Sequence, residues 1–591
     1  MSGKPSKSAS PDRQTKSAKP RDPTPPGRGD SLRETIETIV FALVLAFLFR
    51  TFEAQAYEIP TGSMGPTLMG RHKDLICPAC GFHYRVGASM EVYSDTGTPR
   101  PGNRVTGATC PLCRFQMSID GREGDPQENP SYSGDRIWVT RAPYVSGDPE
   151  RFDVAVFRKP EVSEENYIKR LVGLPNETLR IRHGDLFARD RRHDQFTIVR
   201  RPPRKIFSSW LPVYDTDNPC SKLIEAGWPS RWQADTSVDR SQQGGWTSSN
   251  DLREFTSDGS LPGGAWLRYW HLVPTRDDWR AVMRGPLPPD YAFPRPQLVT
   301  DFCAYNSAMT VSSEARTEPD RLGVDFLGTH WVGDLAIQAE LDLHGTAGTV
   351  TLELVEGGRR LQCKFDAATG AATLAIEGLD SFQPSAATGV KGPGTYHVTL
   401  ANFDDRLLLW VDGKRVAFDG PTSYEPLANG RPTEADLSPV GIGTQGANVT
   451  LRHLRIMRDI YYIAGYQHGE GMLTDQIRNP YLFPHITREK LARFMSTPGW
   501  WKAFDDLATI DYELGEGEYL ALGDNSPNSG DGRFWEARGA GAVRREQVLG
   551  KAFFTYWPHA WPTRHHLTLN VRNKVVRVPF YPDFRRMRWI H

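Results

Sequence analysis

Hydrophobic and polar positions alternate along much of the chain, and this period of two predicts β-strands. Between 333 and 458 such runs recur roughly every 8 to 12 residues, separated by turns such as Asp412-Gly413. That spacing predicts an antiparallel β-sandwich. Two shorter runs, at 135–140 and 153–158, predict further strands ahead of it. We therefore predict a mainly β protein.

A single strongly apolar run, TIVFALVLAFLF at 38–49, departs from this pattern. As a helix, 12 residues cover about 18 Å, short of the roughly 30 Å of a bilayer core. Extension to 33–56 reaches spanning length, with Arg33 and Arg50 at the two interfaces. A cleavable signal peptide fits less well because a long polar leader precedes the run, and a buried core helix would be amphipathic. We predict a single transmembrane anchor at 33–56.

The segment before this run is basic and almost free of apolar residues. Residues 1–30 are therefore predicted to form a disordered tail. Their basic excess places them in the cytoplasm, with the body of the protein on the outer face of the plasma membrane.

The composition excludes several classes of protein. The 71 Lys and Arg residues balance the 71 Asp and Glu residues among 591, which argues against a nucleic-acid partner. A mean hydropathy of −0.50 excludes a polytopic membrane protein. Seven cysteines are too few for a disulfide scaffold of this length.

Three short segments carry candidate chemistry. PTGSMGPTL at 60–68 is a constrained loop that presents Ser63, and YIKRLVGLP at 167–175 places Lys169 in an apolar strand. GDNSPNSGDGRFW at 523–535 is a polar, glycine-rich loop. Taken alone, each has an ordinary interpretation: a turn serine, an edge-strand lysine and a surface loop.

In this order behind an apolar N-terminal run, the three segments resemble the bacterial type I signal peptidases. GKAFFTYWP at 550–558 is similar to the closing strand of that family. The resemblance covers 34–70, 130–190 and about 510–560. It implies a membrane-bound serine endopeptidase that removes signal peptides from exported preproteins after an Ala-x-Ala-like site.

The resemblance also implies roles for individual residues. Ser63 matches the nucleophile, Lys169 the general base, and Ser529 the hydroxyl that orients the lysine. Thr61 matches the hydroxyl that joins the Ser63 backbone N–H in the oxyanion hole. Residues matched to structural support of the site are Arg170, Gly523, Asp524, Asn525, and the ion pair of Asp531 and Arg533. Residues matched to the substrate pocket are Tyr57, Ile59, Val156 and Ile168.

Two turn positions depart from the family pattern. Phe152 and Asn176 stand where the family often has glycine, so the local geometry there is in question. The chemistry itself requires a neutral lysine, whose ordinary pKa is about 10.4. Burial among apolar side chains disfavours the ammonium form and lowers that pKa.

Two CxxC pairs predict a zinc ribbon inserted at 71–118. Paired turns of this kind place four thiolates in a tetrahedral site, and four cysteines leave no open position, so the metal would be structural. Two disulfides or a redox pair remain alternatives. The candidate ligands are Cys77, Cys80, Cys110 and Cys113. No cofactor is expected for catalysis.

The predicted sandwich forms a second insertion, and its segment LANFDDRLLLWVDGKRVAFDG resembles concanavalin A-like or laminin-G-like domains. Such domains often bind glycans or proteins, and no ligand residue stands out. The predicted organisation is a tail at 1–30, an anchor at 33–56, catalytic parts at 57–204 and 463–562, a sandwich at 205–462 and an extension at 563–591. We expect deletion of 205–460 to leave the Ser/Lys chemistry intact.

Signal peptides and membrane lipid are the expected partners, with glycan or protein contact through the sandwich. One alternative is a membrane-anchored surface or glycan-binding protein on a peptidase-like scaffold. Another is a self-cleaving Ser/Lys protein, which would require a scissile linker ahead of the serine.

Overall fold

The computed structural model describes residues 28–48, 55–93, 96–119, 131–160, 165–190, 192–236, 244–310, 328–426, 430–467, 472–473, 488–536, 541–558, 566–571, 574–579 and 583–590. The chain divides into two compact units, 1–54 and 55–591.

The first unit contains one described helix, Arg28–Leu48. Charged residues occupy its first half, so its uninterrupted apolar part, 38–48, covers only about 16 Å. Among the described residues, no helix combines the length and apolar character needed to cross a membrane. The predicted transmembrane helix at 33–56 is therefore not supported. Residues 1–27 of the predicted tail and 49–54 of the predicted anchor lie outside the described residues.

The second unit is built almost entirely from antiparallel strands, and the prediction of a mainly β protein is confirmed. We call its first sheet, of eight strands, the site sheet. Its strands run in the order Gln55–Glu58, Arg136–Thr140, Val548–Trp557, Val154–Arg158, Asn166–Gly173, Glu518–Leu522 and Val543–Arg544, with Arg588–Trp589 beside Val548–Trp557. Segments from both ends of the unit thus meet in one sheet.

A four-stranded sheet packs against the site sheet. Its strands, in order, are Thr197–Ile198, Asp185–Asp190, Glu177–Arg182 and Ile510–Glu513. Leu179 and Tyr512 from this sheet share a buried core with Val172 and Leu522 from the site sheet. Burial of this kind contributes roughly 1.5 to 3 kcal/mol for each large apolar side chain.

Two larger sheets form the region that was predicted to be a sandwich. One contains Thr247–Ser248, Phe255–Ser257, Val449–Arg458, Leu335–Leu343, Gly394–Asn402, Leu407–Val411 and Lys414–Arg415, with Leu211–Asp215 beside Val449–Arg458. The other contains Trp232–Ala234, Ala265–Tyr269, Val440–Gln445, Thr349–Glu356, Arg359–Asp366, Ala371–Ile376 and Ser385–Ala387. Ile337 and Leu400 of the first sheet share one core with Leu352 and Ile442 of the second, which is sandwich packing.

The cysteine-containing segment forms two small sheets. One holds His83–Gly87, His72–Ile76 and Ser131–Tyr132, and the other holds Met309–Thr310, Val105–Thr109 and Gln116–Ser118. Because Met309–Thr310 comes from the second predicted insertion, the two insertions share a sheet.

The remaining elements are short. Two-stranded pairs are Tyr466–Gln467 with Met472–Leu473, and His566–Val571 with Lys574–Pro579. Within the described ranges, the α-helices of this unit are Ala142–Ser146, Pro203–Ile206, Ser221–Glu225, Arg276–Val282, Arg488–Met495 and Gly532–Glu536.

Candidate active site

The loop that carries Ser63 follows the first strand of the site sheet. We call residues 60–66 the Ser63 loop. Gly62–Met64 form a single 3-10 turn, and the Gly65 amide donates to the Gly62 carbonyl at 2.9 Å. Prolines at both ends of this loop restrict its backbone. The result is a tight turn with Ser63 largely buried at its centre.

Lys169 lies on the strand Asn166–Gly173, in the interior of the site sheet. Its Nζ atom is 2.5 Å from the Ser63 Oγ atom, and its side chain is only 2% exposed. The structure therefore joins the two residues that the sequence segments singled out, although they are 106 positions apart in the chain.

Burial controls the protonation of this lysine. Desolvation lowers the pKa of Lys169 to about 8, while the nearby Asp531 raises it, Arg533 lowers it and Asp524 raises it. At pH 7, a pKa of about 8 leaves roughly a tenth of the molecules with a neutral amine. A neutral amine can accept the proton of the Ser63 hydroxyl, which is the requirement for a general base.

The loop at 523–525 fixes the Ser63 loop from the other side. The backbone N–H of Asn525 donates to the Ser63 carbonyl at 3.1 Å. The side-chain Nδ2 atom of Asn525 donates to the Gly62 carbonyl at 2.9 Å. A Cβ atom at Gly523 would lie 2.3 Å from the Ser63 carbonyl oxygen and 2.2 Å from the Ser529 Oγ atom. Glycine is therefore required at this position.

Ser529 lies close to the site but makes fewer contacts than expected. Its side chain is buried, and its hydroxyl has no hydrogen-bond partner in the part of the chain that the structure describes. The packing around Gly523 places it beside the Ser63 loop. The predicted hydrogen bond to Lys169 is not formed here.

Two buried ion pairs hold the strand and the loop beneath the site. Arg170 contacts both carboxylate oxygens of Asp524, at 2.8 and 2.7 Å. Arg533 contacts both oxygens of Asp531, at 2.9 and 2.6 Å. Asp531 also accepts the Gly523 amide at 3.0 Å. Removing one partner from such a pair leaves the other charge buried without a partner, which lowers the stability of the fold by about 3 to 5 kcal/mol.

Phe152 and Asn176 both adopt the left-handed backbone conformation, with φ of 66° and 64°. This region favours glycine, which accounts for the glycine of the family pattern, and nothing in the structure explains the Phe and Asn found here. The Phe152 carbonyl still accepts a hydrogen bond from Arg170 at 2.9 Å.

The other sequence-predicted residues lie around the Ser63 loop. Thr61 is exposed and directly precedes the 3-10 turn. The four residues matched to the substrate pocket belong to one apolar cluster, in which two are buried and two are partly exposed: Ile59, Val156, Tyr57 and Ile168. Met64 of the Ser63 loop belongs to the same cluster.

Sequence reasoning missed two residues of the second predicted insertion. The Asn306 and Asn525 side chains exchange hydrogen bonds at 2.6 and 2.7 Å. The Tyr305 ring packs on the Ser63 loop, since a Cβ atom at Gly62 or Gly65 would lie 2.6 or 2.7 Å from it. These glycines signal a close approach, but nothing in the sequence identifies Tyr305 as the neighbour. The insertion therefore supports the Ser63 loop directly.

The four CxxC cysteines lie together and are buried, and they form no disulfide. Their sulfur atoms lie within 4.8 Å of one another. The Cys77 and Cys113 sulfurs are 3.5 Å apart, and those of Cys80 and Cys110 are 3.7 Å apart. This arrangement could hold one metal ion.

Comparison with known proteins supports a peptidase relationship. A family model described as "Signal peptidase, peptidase S26" matches 117–242 and 441–557, which is less than half of the chain. The matched segments include Lys169 and Ser529, whereas Ser63 lies before them. The mainly β fold and these matches support the peptidase S26 family.

Two curated relatives are both named as signal peptidases. Signal peptidase I of Pseudomonas aeruginosa is 62% identical over 34 residues, 6% of this chain and 12% of that protein. Signal peptidase I P of Bacillus subtilis subsp. natto is 27% identical over 73 residues, 12% of this chain and 39% of that protein. The chain thus matches well under half the length of either relative.

Among solved structures, the carbohydrate-binding module CBM66 of Bacillus subtilis is 10% identical to this chain, with a TM-score of 0.20. The match covers 38% of this chain and 95% of the CBM66 chain. Galectin LEC-6 of Caenorhabditis elegans is 11% identical, with a TM-score of 0.16. That match covers 21% of this chain and 83% of the galectin chain.

Proposed function

We propose that this protein is a type I signal peptidase, a serine endopeptidase that removes N-terminal signal peptides after an Ala-x-Ala-like site. The observation that carries the proposal is the 2.5 Å contact between Ser63 Oγ and Lys169 Nζ. Both groups are buried, so the pair is shielded from competing water and the amine loses its proton more readily.

In the proposed mechanism, neutral Lys169 accepts the Ser63 hydroxyl proton as Oγ attacks the scissile carbonyl carbon. The Ser63 N–H and the Thr61 hydroxyl stabilise the oxyanion. When the intermediate collapses, the Lys169 ammonium returns its proton to the leaving amine, and an ester on Ser63 remains. Lys169 then deprotonates a water molecule, whose attack releases the carboxylate product and restores the serine.

Substrate selection is assigned to the apolar cluster beside the Ser63 loop. Tyr57 and Ile168 retain partial exposure there, next to buried Ile59 and Val156. An apolar surface of this kind accepts apolar side chains and disfavours charged ones, and the family resemblance adds the preference for small residues. This is the basis for the proposed Ala-x-Ala preference.

The proposal includes action at the plasma membrane. Its support is the helix Arg28–Leu48, whose Ile39, Phe41 and Leu43 side chains are largely exposed. Exposed apolar side chains in such a group favour contact with lipid.

The direct test is cleavage of a purified model preprotein by the full-length protein, with mass spectrometry of the new N-terminus. We expect one cut after the Ala-x-Ala site and no cut when both alanines of that site are replaced by phenylalanine. Cleavage at unrelated positions, or inertness of the folded protein, would contradict the proposal.

Activity should depend on pH because only neutral Lys169 can act as the base. Burial lowers the pKa of Lys169 to about 8, so the ammonium form dominates below this pH. We expect kcat/KM for preprotein cleavage to rise about tenfold per pH unit below 8 and to level off above it. Rates measured between pH 6 and 10, with circular dichroism at each pH, check this. A kcat/KM that does not change with pH, or one that already levels off near pH 6, would count against a lysine base.

We also propose that the four CxxC cysteines hold a structural zinc ion. Tetrahedral Zn–S bonds of about 2.3 Å place sulfur atoms about 3.8 Å apart, close to the 3.5 and 3.7 Å separations found here. A disulfide would need about 2.05 Å. The ion would tie two hairpins together, and Trp279 of the second insertion donates to the Cys113 carbonyl at 3.0 Å.

Zinc content tests this assignment. We expect about one zinc per chain in the purified protein, and close to none in Cys110→Ser, because three thiolates bind the ion much more weakly. Cys363→Ser, which alters a sandwich thiol, should retain the metal and serves as the control. Protein that contains no zinc and no titratable thiols at these four positions would favour the disulfide alternative instead.

A further inference from the structure

A short stretch of the second predicted insertion lies between the cysteine cluster and the Ser63 loop. It consists of the 3-10 turn Ala304–Asn306 and the next residue, Ser307. We call residues 304–307 the bridging segment. All four of its residues are buried, and their side chains contact different neighbours on the two sides.

Ser307 connects the bridging segment to the strand that leads into the second CxxC pair. Its Oγ atom accepts the backbone N–H of Thr109 at 3.0 Å and donates to the Ala304 carbonyl at 2.8 Å. Thr109 directly precedes Cys110, and both residues are buried. Ala304 itself belongs to the same apolar core as the four cysteines. The bridging segment is therefore anchored beside the candidate metal ligands.

Both CxxC hairpins contact this part of the insertion. The strand His83–Gly87 follows the first pair, and a Cβ atom at Gly87 would lie 3.1 Å from the Tyr305 ring. The strand Val105–Thr109 precedes the second pair, and it pairs with Met309–Thr310 just beyond the bridging segment. A change in the spacing of the two hairpins is thus passed directly to the bridging segment.

The other side of the bridging segment reaches the catalytic pair. Asn306 exchanges two side-chain hydrogen bonds with Asn525. Asn525 in turn donates to the carbonyls of Gly62 and Ser63, and the Tyr305 ring packs on Gly62. A continuous path of hydrogen bonds and two peptide links therefore runs from the cysteine cluster to the Ser63 loop.

The polar groups of this path are shielded from water. Thr109 and Asn525 are each 2% exposed, and Ser307 and Asn306 are buried as well. A buried donor that loses its acceptor finds no water to replace it. Bonds in such a network also strengthen one another, so the arrangement is kept or lost as a unit.

Metal binding fixes one end of this path. The four cysteine sulfurs lie within 4.8 Å of one another, and a bound ion supplies the free energy that orders a site of this kind. Without it the two hairpins are free to separate, and the Thr109 N–H moves away from Ser307. The bridging segment then shifts against Asn525. A misplacement of about 1 Å at a catalytic group lowers the rate roughly 10²-fold.

We propose that metal occupancy of the cysteine cluster controls the position of Ser63 through the bridging segment. The inference rests on the proposed peptidase function and on the proposed zinc ion, and it adds regulation of the Ser63 site. Ser307 and Asn306 act as positioning residues on the path. Loss of zinc therefore lowers kcat, whereas a cluster that only stabilises the fold would change the melting temperature alone.

The first test measures the zinc affinity of the full-length protein by competition with a chromophoric chelator. Asn525→Ala cuts the path at its far end and leaves the four cysteines untouched. Because coupling between two sites is reciprocal, this variant should bind zinc about threefold to tenfold more weakly than wild type. Asn250→Ala, at an exposed position of the same insertion, is the matched control and should bind zinc like wild type.

The second test compares cleavage of a model preprotein before and after zinc is removed with EDTA. We expect the kcat of wild type to fall about 10²-fold with little change in KM, and to recover when ZnCl₂ is added back. In Asn306→Ala the path is already cut, so removal of zinc should lower kcat by less than about threefold further. Circular dichroism and the melting temperature show whether the metal-free protein stays folded.

Ser307→Ala tests the same path in the zinc-loaded protein, and it decides the matter if the metal-free protein unfolds. The variant keeps all four cysteines and should retain its zinc, but it removes the acceptor of the Thr109 N–H. We expect kcat to fall about tenfold. This loss should not add to that of Asn306→Ala, because both substitutions cut one path.

Four results would overturn the proposal: a wild-type protein that contains no metal, equal zinc affinity in wild type and Asn525→Ala, unchanged kcat in folded metal-free wild type, or the same effect of zinc removal in Asn306→Ala as in wild type. A zinc-loaded wild type that cleaves nothing would instead refute the proposed function. The affinity comparison does not depend on cleavage and would still decide the coupling.

Discussion

Lys169→Met should lower preprotein cleavage at least about 10³-fold while leaving the protein folded. A positioned general base contributes about 10² to 10⁴ in rate, and Ser63 has no other base within reach in the geometry described here. Methionine has a similar length and an apolar terminus, so it suits a position that is only 2% exposed. A 10³-fold loss corresponds to about 4 kcal/mol of transition-state stabilisation.

Two further substitutions separate proton transfer from simple positive charge. Lys169→Arg keeps the charge, but a guanidinium cannot be deprotonated in a protein, so this variant should be as inactive as Lys169→Met. Lys364→Met alters an exposed sandwich lysine and should cleave like wild type. Substantial activity in Lys169→Arg would mean that Lys169 supplies charge rather than basicity. Rates come from initial velocities, and folding is checked by the melting temperature.

Asn306→Ala should lower kcat about 10²-fold with a much smaller effect on KM. The substitution removes both hydrogen bonds to Asn525, whose side chain holds the Gly62 carbonyl. Ser63 then loses its fixed position against Lys169, and a misplacement of about 1 Å costs roughly this factor. Asn306 thus acts as a positioning residue, through Asn525.

The readout must separate positioning from general stability. Asn250→Ala, at an exposed position of the same insertion, should leave kcat and KM unchanged. Tyr305→Ala should resemble Asn306→Ala, because it removes the ring that packs on Gly62 and Gly65. If Asn306→Ala lowers the melting temperature but not kcat, the contact only stabilises the fold.

These contacts replace the expectation that the second insertion can be deleted without effect. Deletion of 205–460 removes both Tyr305 and Asn306, and so it removes one support of the Ser63 loop. We now expect such a protein to be inactive even when it folds.

Local patterns located the segments of the candidate site, and the resemblance to the type I signal peptidases singled out Ser63 and Lys169 within them. The prolines and glycines around Ser63 indicate a tight turn, and the apolar residues around Lys169 indicate a strand that carries this lysine. The strands predicted at 135–140 and 153–158 lie at Arg136–Thr140 and Val154–Arg158. Such features depend on near neighbours in the chain, which a sequence pattern records.

Long-range contacts could not be predicted in this way. Asn306 and Asn525 are 219 positions apart, and neither lies in a periodic segment. The neighbouring carboxylates of Asp185, Asp334 and Asp404 come from three separate segments, and their sequence neighbours do not distinguish them from surface acids. The apolar run at 38–49 was extended through charged residues to reach spanning length, and the helix of the structure does not support that extension.

The central claim, that Ser63 is the nucleophile, is tested most directly by trapping the acyl-enzyme. The protein is mixed with a model preprotein, quenched in acid within seconds and examined by intact and peptide mass spectrometry. We predict an adduct equal to the signal peptide less one water, on the peptide that contains Ser63, and no adduct or cleavage in Ser63→Ala. Cleavage by Ser63→Ala, or an adduct on another residue, would contradict the account.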